Sequence, residues 1–293
     1  MKRLSEPDNS MANTLLDGII KRKRNKEYIT RLTANKIYII KRYTVYQEQK
    51  NKLENIGASI IYMDEDKDAI HTAFSTSFKK RIKKSELKKV YDECNNICPF
   101  CGDRKIEEID HYIPKEAYPE FTLYPGNLVP LCNKCNKKKG ERFLDTENKR
   151  QFINVYYDDI DNLNFISINI QYNPTNIKKT IRIKYLADFE LISDLYLREI
   201  VCKHYKNLDL LERYEEAAIN EVSELLMVVQ NQSNKDEHDI EMWGTMTIEG
   251  KMNGQLKLSG YNDWKYLLYK KLVEINFITD LVKYVSENME KYD

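Results

Sequence analysis

No apolar run in this chain approaches the roughly 20 residues of a membrane-crossing helix, which excludes a spanning helix as an organising element. No secretory or transit leader opens it, so a cytoplasmic setting is expected. With nine glycines in 293 residues there is no glycine-rich phosphate loop and no P-loop, and nucleotide hydrolysis by this chain alone is not expected. No internal repeat points to a solenoid. Net charge is nearly absent at +1, and histidine is rare at four residues.

The near-zero charge conceals an asymmetry. Residues 1–93 carry 21 Lys/Arg against 13 Asp/Glu, residues 94–150 carry 10 against 9, and residues 151–293 carry 16 against 24. Three segments follow: a basic N-terminal region (1–93), a central core (94–150) and an acidic C-terminal region (151–293). Two runs supply the basic excess, Lys21 to Lys26 and Lys79 to Lys84. Such runs suit phosphate contact that does not read bases. Lys79, Lys80, Arg81, Lys83 and Lys84 are therefore candidate nucleic-acid contacts, with a solvated helix face as the bland alternative.

Six cysteines are present, and four fall in two pairs: Cys98-x-x-Cys101 and Cys132-x-x-Cys135. Four thiolates are what a closed tetrahedral zinc site needs, and such a site leaves no coordination position for chemistry. Substituting Cys94 for Cys98 would lose the two-residue knuckle. Cys202 sits in a helical pattern and is expected to be a buried small apolar residue. Paired Cys-x-x-Cys in an intracellular chain favours metal over disulfides. Between the knuckles, Ile106 to Asp110 and Leu128 to Leu131 can form two strands, with Pro125-Gly126 as a turn signal. A helix starting near Asn133 would place Asn136 in its first turn, pointing back toward Asp110 and His111.

These elements, taken in order, carry a resemblance: Cys98-x-x-Cys101-Gly102, Asp110-His111-x-x-Pro114, Asn127-Leu128-x-x-Leu131-Cys132 and Cys135-Asn136-x-x-Lys139-Gly140. The segment resembles the HNH endonuclease family in its zinc-containing branch. The resemblance implies a ββα-metal core that hydrolyses phosphodiesters. His111 suits the general base, because imidazole titrates near neutral pH. Asp110, on the opposite strand face, and Asn136, through its amide oxygen, would hold one hard divalent cation, Mg²⁺ or Mn²⁺ in preference to Ni²⁺ or Zn²⁺. Asn127 would orient His111 or its loop. Lys137, Lys138 and Lys139 would contact backbone phosphates. The family more often has histidine where Asn136 stands.

DNA is the expected substrate, with RNA left open. Family members with long extra regions resemble effectors of bacterial restriction and anti-phage systems. The acidic region is accordingly expected to bind a protein partner, such as a separate ATPase subunit, or to form a homodimer. A zinc-stabilised nucleic-acid-binding module without turnover is the alternative, one that would be indifferent to Mg²⁺ and to His111→Ala.

The whole is expected to be α+β, with a small zinc-stapled core between a mainly helical N-terminal region and a mostly helical C-terminal region. Apolar spacing predicts a helix over Asn35 to Glu54, ended by Gly57. Alternation predicts a hairpin from Ile166 to Tyr172 and Ile181 to Tyr185. Helices are expected from Phe189 to Ile200, over Leu208 to Val229, and as one last helix from Trp264 to Val282. Gln230 to Glu237 reads as a loop and Met242 to Leu258 as short strands around Gly250 and Gly254. His71, His204 and His238 are expected to be structural or on the surface.

Overall fold

The computed structural model describes residues 3–10, 12–61, 63–232 and 236–289. It is α+β, and the chain divides into two compact units. One comprises residues up to Ile160 together with Glu199–Leu208; the other comprises Asp161–Arg198 and Asp209 onward.

The first unit begins with α1 (Ala12–Arg22) and α2 (Lys26–Glu48). Asn25 sets the start of α2: its side chain accepts hydrogen bonds from the Glu27 and Tyr28 N–H groups, and Glu27 adds a favourable charge to the first turn. The helix thus begins well before the expected Asn35 and stops at Glu48, with Leu53–Asn55 forming a separate 3-10 turn. Tyr43 and Tyr46 on its buried face lie 4.8 and 4.9 Å from the Tyr124 ring, and Tyr46 Oη donates to the Gly126 carbonyl at 3.1 Å. The basic N-terminal region therefore packs directly on the central segment. Gly126 is required there, because a Cβ would fall 2.6 Å from Tyr157 Oη and 2.8 Å from the Tyr124 ring.

Next come α3 (Asp64–Ala73), α4 (Thr76–Lys84) and α5 (Lys88–Glu93), then β1 (Glu108–His111), β2 (Leu128–Leu131) and α6 (Asn133–Lys139). β1 and β2 pair antiparallel, Asp110 opposite Val129 and His111 opposite Leu128. Arg150, fully buried, ties the unit together. It meets Glu54 at 3.2 Å and Asp158 at 2.7 and 3.2 Å, and donates to Tyr112 Oη. A fully buried guanidinium is tolerated only when compensated in this way.

In the second unit, β3 (Ile166–Gln171) and β4 (Arg182–Ala187) form the expected hairpin, joined through a connection that holds the single-turn helix α7 (Ile177–Thr180). Then follow α8 (Leu195–Leu208), α9 (Leu210–Gln230), α10 (Glu237–Ser259), α11 (Trp264–Glu274) and α12 (Phe277–Met289). The last part of α8, Glu199–Leu208, belongs to the first unit. There His204 is buried between the Phe100 carbonyl at 3.0 Å and the Ile153 N–H at 3.3 Å, a structural role. Cys202 is half-buried rather than buried.

Three expectations fail in this unit. The helix expected from Phe189 starts only at Leu195, with Phe189–Leu191 forming a separate 3-10 turn. Residues 242–258 are helix, not strands. Interior glycines cost about 1 kcal/mol each in a helix, yet Gly244 lets α10 approach α12, where a Cβ would meet Ile278 at 2.9 Å. Tertiary packing thus overrides the local signal. The apolar stripe after Trp264 is two helices, broken at Asn276, whose φ is +50°. Of the expected loop from Gln230 to Glu237, residues 233–235 lie outside the described residues.

Candidate active site

The frame is a cluster of four sulfurs. Cys98, Cys101, Cys132 and Cys135 are buried, with their sulfurs all within 4.8 Å of one another, and Cys101 Sγ to Cys132 Sγ is 3.9 Å. Tetrahedral zinc with bonds of about 2.3 Å separates its sulfurs by about 3.8 Å, so the donor set fits zinc. Local geometry prepares the site. Gly102, at φ +63°, turns the first knuckle and donates to the Cys98 carbonyl at 2.8 Å. Cys132 caps α6 by accepting from the Cys135 N–H at 3.4 Å. Hydrogen bonds from Cys101, Cys135 and Cys98 hold the Cys132 thiol far below its ordinary value, while burial pushes the Cys98 thiol up. Cys94 stands apart: its thiol donates to the Val90 carbonyl at 3.0 Å, and burial raises it to about 11.

β1 distributes its side chains to two faces. On one face is His111. Its Nε2 lies 3.0 Å from the Thr122 carbonyl oxygen, and its ring packs 4.5 Å from the Phe74 ring. A carbonyl only accepts, so Nε2 carries the proton and Nδ1 keeps its lone pair. Burial pushes the imidazole down to about 3, so this histidine is neutral at physiological pH.

The other face carries Glu108 and Asp110, two residues apart, alongside one face of α6. Asn136 donates to Glu108 Oε2 at 2.8 Å, and Asn133 to Glu108 Oε1 at 3.0 Å. One turn on, Lys139 Nζ sits 2.8 Å from Asp110 Oδ2 and 2.8 Å from the His111 carbonyl oxygen. Burial raises the Asp110 carboxyl above its ordinary value against the opposing pull of Lys139. Asn136 thus turns to Glu108, not to Asp110, and Lys139 occupies the place beside the aspartate. Lys139 is 1 % exposed, which corrects its expected role as a phosphate contact, because its ammonium is spent inside the core. Lys137 is exposed and Lys138 half-buried.

Asn127 is fully buried and holds the loop that follows His111. Its Oδ1 accepts from the Ile113 N–H at 2.8 Å, and its Nδ2 donates to the Ile113 carbonyl at 3.0 Å and the Phe121 carbonyl at 3.4 Å. Its backbone carbonyl accepts from Tyr112 N at 2.8 Å. It therefore holds both ends of the loop that runs from Ile113 to Phe121, and the carbonyl of the next residue, Thr122, meets His111.

Sequence reasoning overlooked Glu108. The available signal was the spacing Glu108-x-Asp110 on a strand, which places both carboxylates on one face. It also overlooked Phe74, which no local pattern connects to His111.

The basic run from Lys79 to Lys84 lies on α4, capped by Ser75 accepting from Phe78 N. Lys79 Nζ is 4.9 Å from the Phe74 ring that covers His111, and Lys83 Nζ lies 4.3 Å from the Tyr91 ring. Lys79, Lys80, Lys83 and Lys84 are exposed, and Arg81 is half-buried. The structure brings Lys79 to the site through Phe74. His71, on α3, meets the Lys115 carbonyl at 3.0 Å.

A zinc-fitting four-cysteine frame, two short antiparallel strands, and a helix bearing Asn136 make up a ββα core. Residues 82–142 match the family model described as HNH endonuclease, so the chain carries an HNH endonuclease domain. The chain is similar to protein ea31 of Escherichia phage lambda, 42% identical over 62 residues, covering 21% of this chain and 21% of that protein. It is also similar to the Septu protein PtuB of Bacillus thuringiensis, 41% identical over 51 residues, covering 16% of this chain and 20% of that protein. The chain thus spans about a fifth of the length of these curated relatives. No solved structure matches. No helix among the described residues is long and apolar enough to cross a membrane.

Proposed function

We propose that this chain is a metal-dependent endonuclease that hydrolyses DNA phosphodiesters. The observation that carries the reading is the fixed tautomer of His111. With Nε2 committed to the Thr122 carbonyl at 3.0 Å, the Nδ1 lone pair is left to take a proton from the attacking water. The anchored loop keeps the ring from rotating, because Asn127 clamps Ile113, two residues after His111, and Phe121, the residue before Thr122.

On the other strand face, Asp110 and Asn136, with Glu108 between Asn136 and the strand, offer hard oxygen donors that fit Mg²⁺ or Mn²⁺. When bound, such a cation stabilises the charge that develops on the phosphate and the leaving oxygen. Lys139 holds Asp110 Oδ2, orienting the carboxylate so that its second oxygen is the one available. Lys79, Lys80, Arg81, Lys83 and Lys84 on α4, with Lys137 and Lys138 on α6, would hold the DNA backbone.

Similarity to Septu PtuB, an anti-phage defence protein with an HNH domain, supports a defence role here. A role in defence would give the acidic second unit a protein partner, a separate ATPase subunit or a second copy, to restrain or release the nuclease.

Cleavage of supercoiled plasmid in Mg²⁺ or Mn²⁺ tests the reading. General-base catalysis contributes about 10²- to 10⁴-fold, so His111→Ala should abolish nicked and linear product. Wild-type protein that retains zinc and shifts DNA, but never cuts it even with its operon partners present, would refute turnover and leave a binding module.

A further inference from the structure

The two basic runs, separate in sequence, meet in space. A hollow of about 210 Å³ lies where the end of α1 approaches the start of α4. Arg22 at the end of α1 and Lys23 just after it line one side, Ser75, Phe78 and Arg81 line it from α4 and its cap, and Ile19 and Ala73 supply apolar wall. Lys23 Nζ is held at 3.0 Å by the Thr72 carbonyl, which fixes its position at the rim.

Arg81 is the centre of this arrangement. Its guanidinium stacks 5.7 Å from the Phe78 ring. Its Nε and one Nη are shielded from solvent and find no hydrogen-bond partner among the described residues. Charged donors hidden from water and left unpaired are costly unless an anion completes them. The same side chain also lines a wide groove on its other flank, with Lys80, Lys83, Lys84, Lys88 and Tyr91. A guanidinium with two free donors beside two further cations suits a phosphate group.

The hollow also has a physical path to His111. The Phe78 ring lies 5.5 Å from the Phe74 ring, and the Phe74 ring 4.5 Å from the His111 ring. Arg81 is therefore two aromatic rings from the candidate base.

We propose that the hollow between α1 and α4 is a phosphate-binding subsite centred on Arg81. It seats a backbone phosphate of the nucleic acid at a position other than the one being cut. The subsite joins Arg22 and Lys23 to the nucleic-acid path and orders the strand beside Phe74. For the source of the phosphate the proposal rests on the nuclease reading, but its test does not require cleavage.

The test uses the zinc-loaded full chain without added Mg²⁺ or Mn²⁺, and measures binding of a fluorescent DNA duplex against salt. Each phosphate contact contributes roughly −0.9 to the slope of log K on log salt. Arg81→Gln should weaken binding about tenfold and reduce the slope by about one, with partial recovery in Arg81→Lys. Arg22→Gln with Lys23→Gln, placed at the rim of the same subsite, should likewise reduce the slope by about one and serves as the decisive variant should Arg81→Gln fold poorly. Inorganic phosphate distinguishes the sources. If it raises the melting temperature of wild type but not of Arg81→Gln, while DNA slopes stay unchanged, the site takes a free phosphate and the nucleic-acid assignment fails. Wild-type slopes in every variant, with no phosphate effect, overturn the subsite altogether. A chain that binds in this way yet never cuts plasmid would leave the subsite standing and sink the nuclease reading.

Discussion

Replacing Lys139 by methionine keeps the length of the side chain and removes its ammonium. In the native structure that ammonium is 2.8 Å from Asp110 Oδ2 and 2.8 Å from the His111 carbonyl oxygen, and the residue is 1 % exposed. Charge-assisted hydrogen bonds of this kind contribute about 1.5–3 kcal/mol each, and truncating one partner strands the other in a poorly solvated place. The half-buried Asp110 recovers part of that through solvent, so a net loss of about 3–4 kcal/mol is expected. For a unit of this size 1 kcal/mol shifts the midpoint by about 2–4 °C, giving a fall of about 10 °C in a thermal melt of the zinc-loaded protein. The same variant should leave the salt slope of DNA binding unchanged, because Lys139 reaches no phosphate. Lys137→Met supplies the contrast: no thermal shift, and a slope lowered by about one. Lys139→Met melting like wild type while lowering the salt slope would show the lysine facing DNA and refute the buried pairing.

Metal analysis should find one zinc per chain, and a chelator or Cys132→Ser should unfold the first unit, since structural zinc contributes on the order of 10 kcal/mol; a chelated protein with an unchanged circular dichroism melt would refute the four-sulfur frame. Asn127→Ala leaves the Ile113 N–H and carbonyl buried and unpaired, so it should cost about 2–5 kcal/mol in urea unfolding and depress plasmid cleavage without abolishing zinc binding. In the second unit, burial alone would raise Glu221, but hydrogen bonds from Tyr269, Lys251 and Lys265 overcome it and hold the carboxyl at about 2 against an ordinary 4.5. A depressed carboxyl contributes stability that is present above about pH 4.5 and lost as pH falls toward 2. With solvent screening the contribution is about 1–2 kcal/mol. Glu221→Gln should therefore lower stability at pH 7 by that amount and flatten the acid limb between pH 4.5 and 2, which urea titrations at stepped pH would read.

Much of the candidate site was legible because its parts are local. Two Cys-x-x-Cys knuckles need only short-range spacing to present four sulfurs, and Asp110-His111 falls on opposite faces of a strand by the period of two. The short apolar run Leu128–Leu131 and the hairpin at Ile166 and Ile181 were equally local, and they formed where the pattern placed them. Local signals failed where packing outweighed propensity. Gly250 and Gly254 read as strand breaks, yet α10 runs through both because Gly244 lets it close on Ile278. Asn276 breaks one apolar stripe into two helices through a backbone angle that no periodicity reports.

The amino-acid sequence by itself determined the four-cysteine frame, the histidine proposed as base and the excess of basic charge toward the N-terminus, since each rests on residue type and near-neighbour spacing. Only the tertiary structure decided how those groups are employed. It placed Lys139 on Asp110 instead of on phosphate, turned Asn136 to Glu108, and laid Phe74 against His111. It also brought Arg22 and Lys23 to the same hollow as Arg81. The physical reason is that a side chain's partner is chosen by burial: once water is excluded, an ammonium or guanidinium must find its counter-charge among groups that only the folded chain brings within reach.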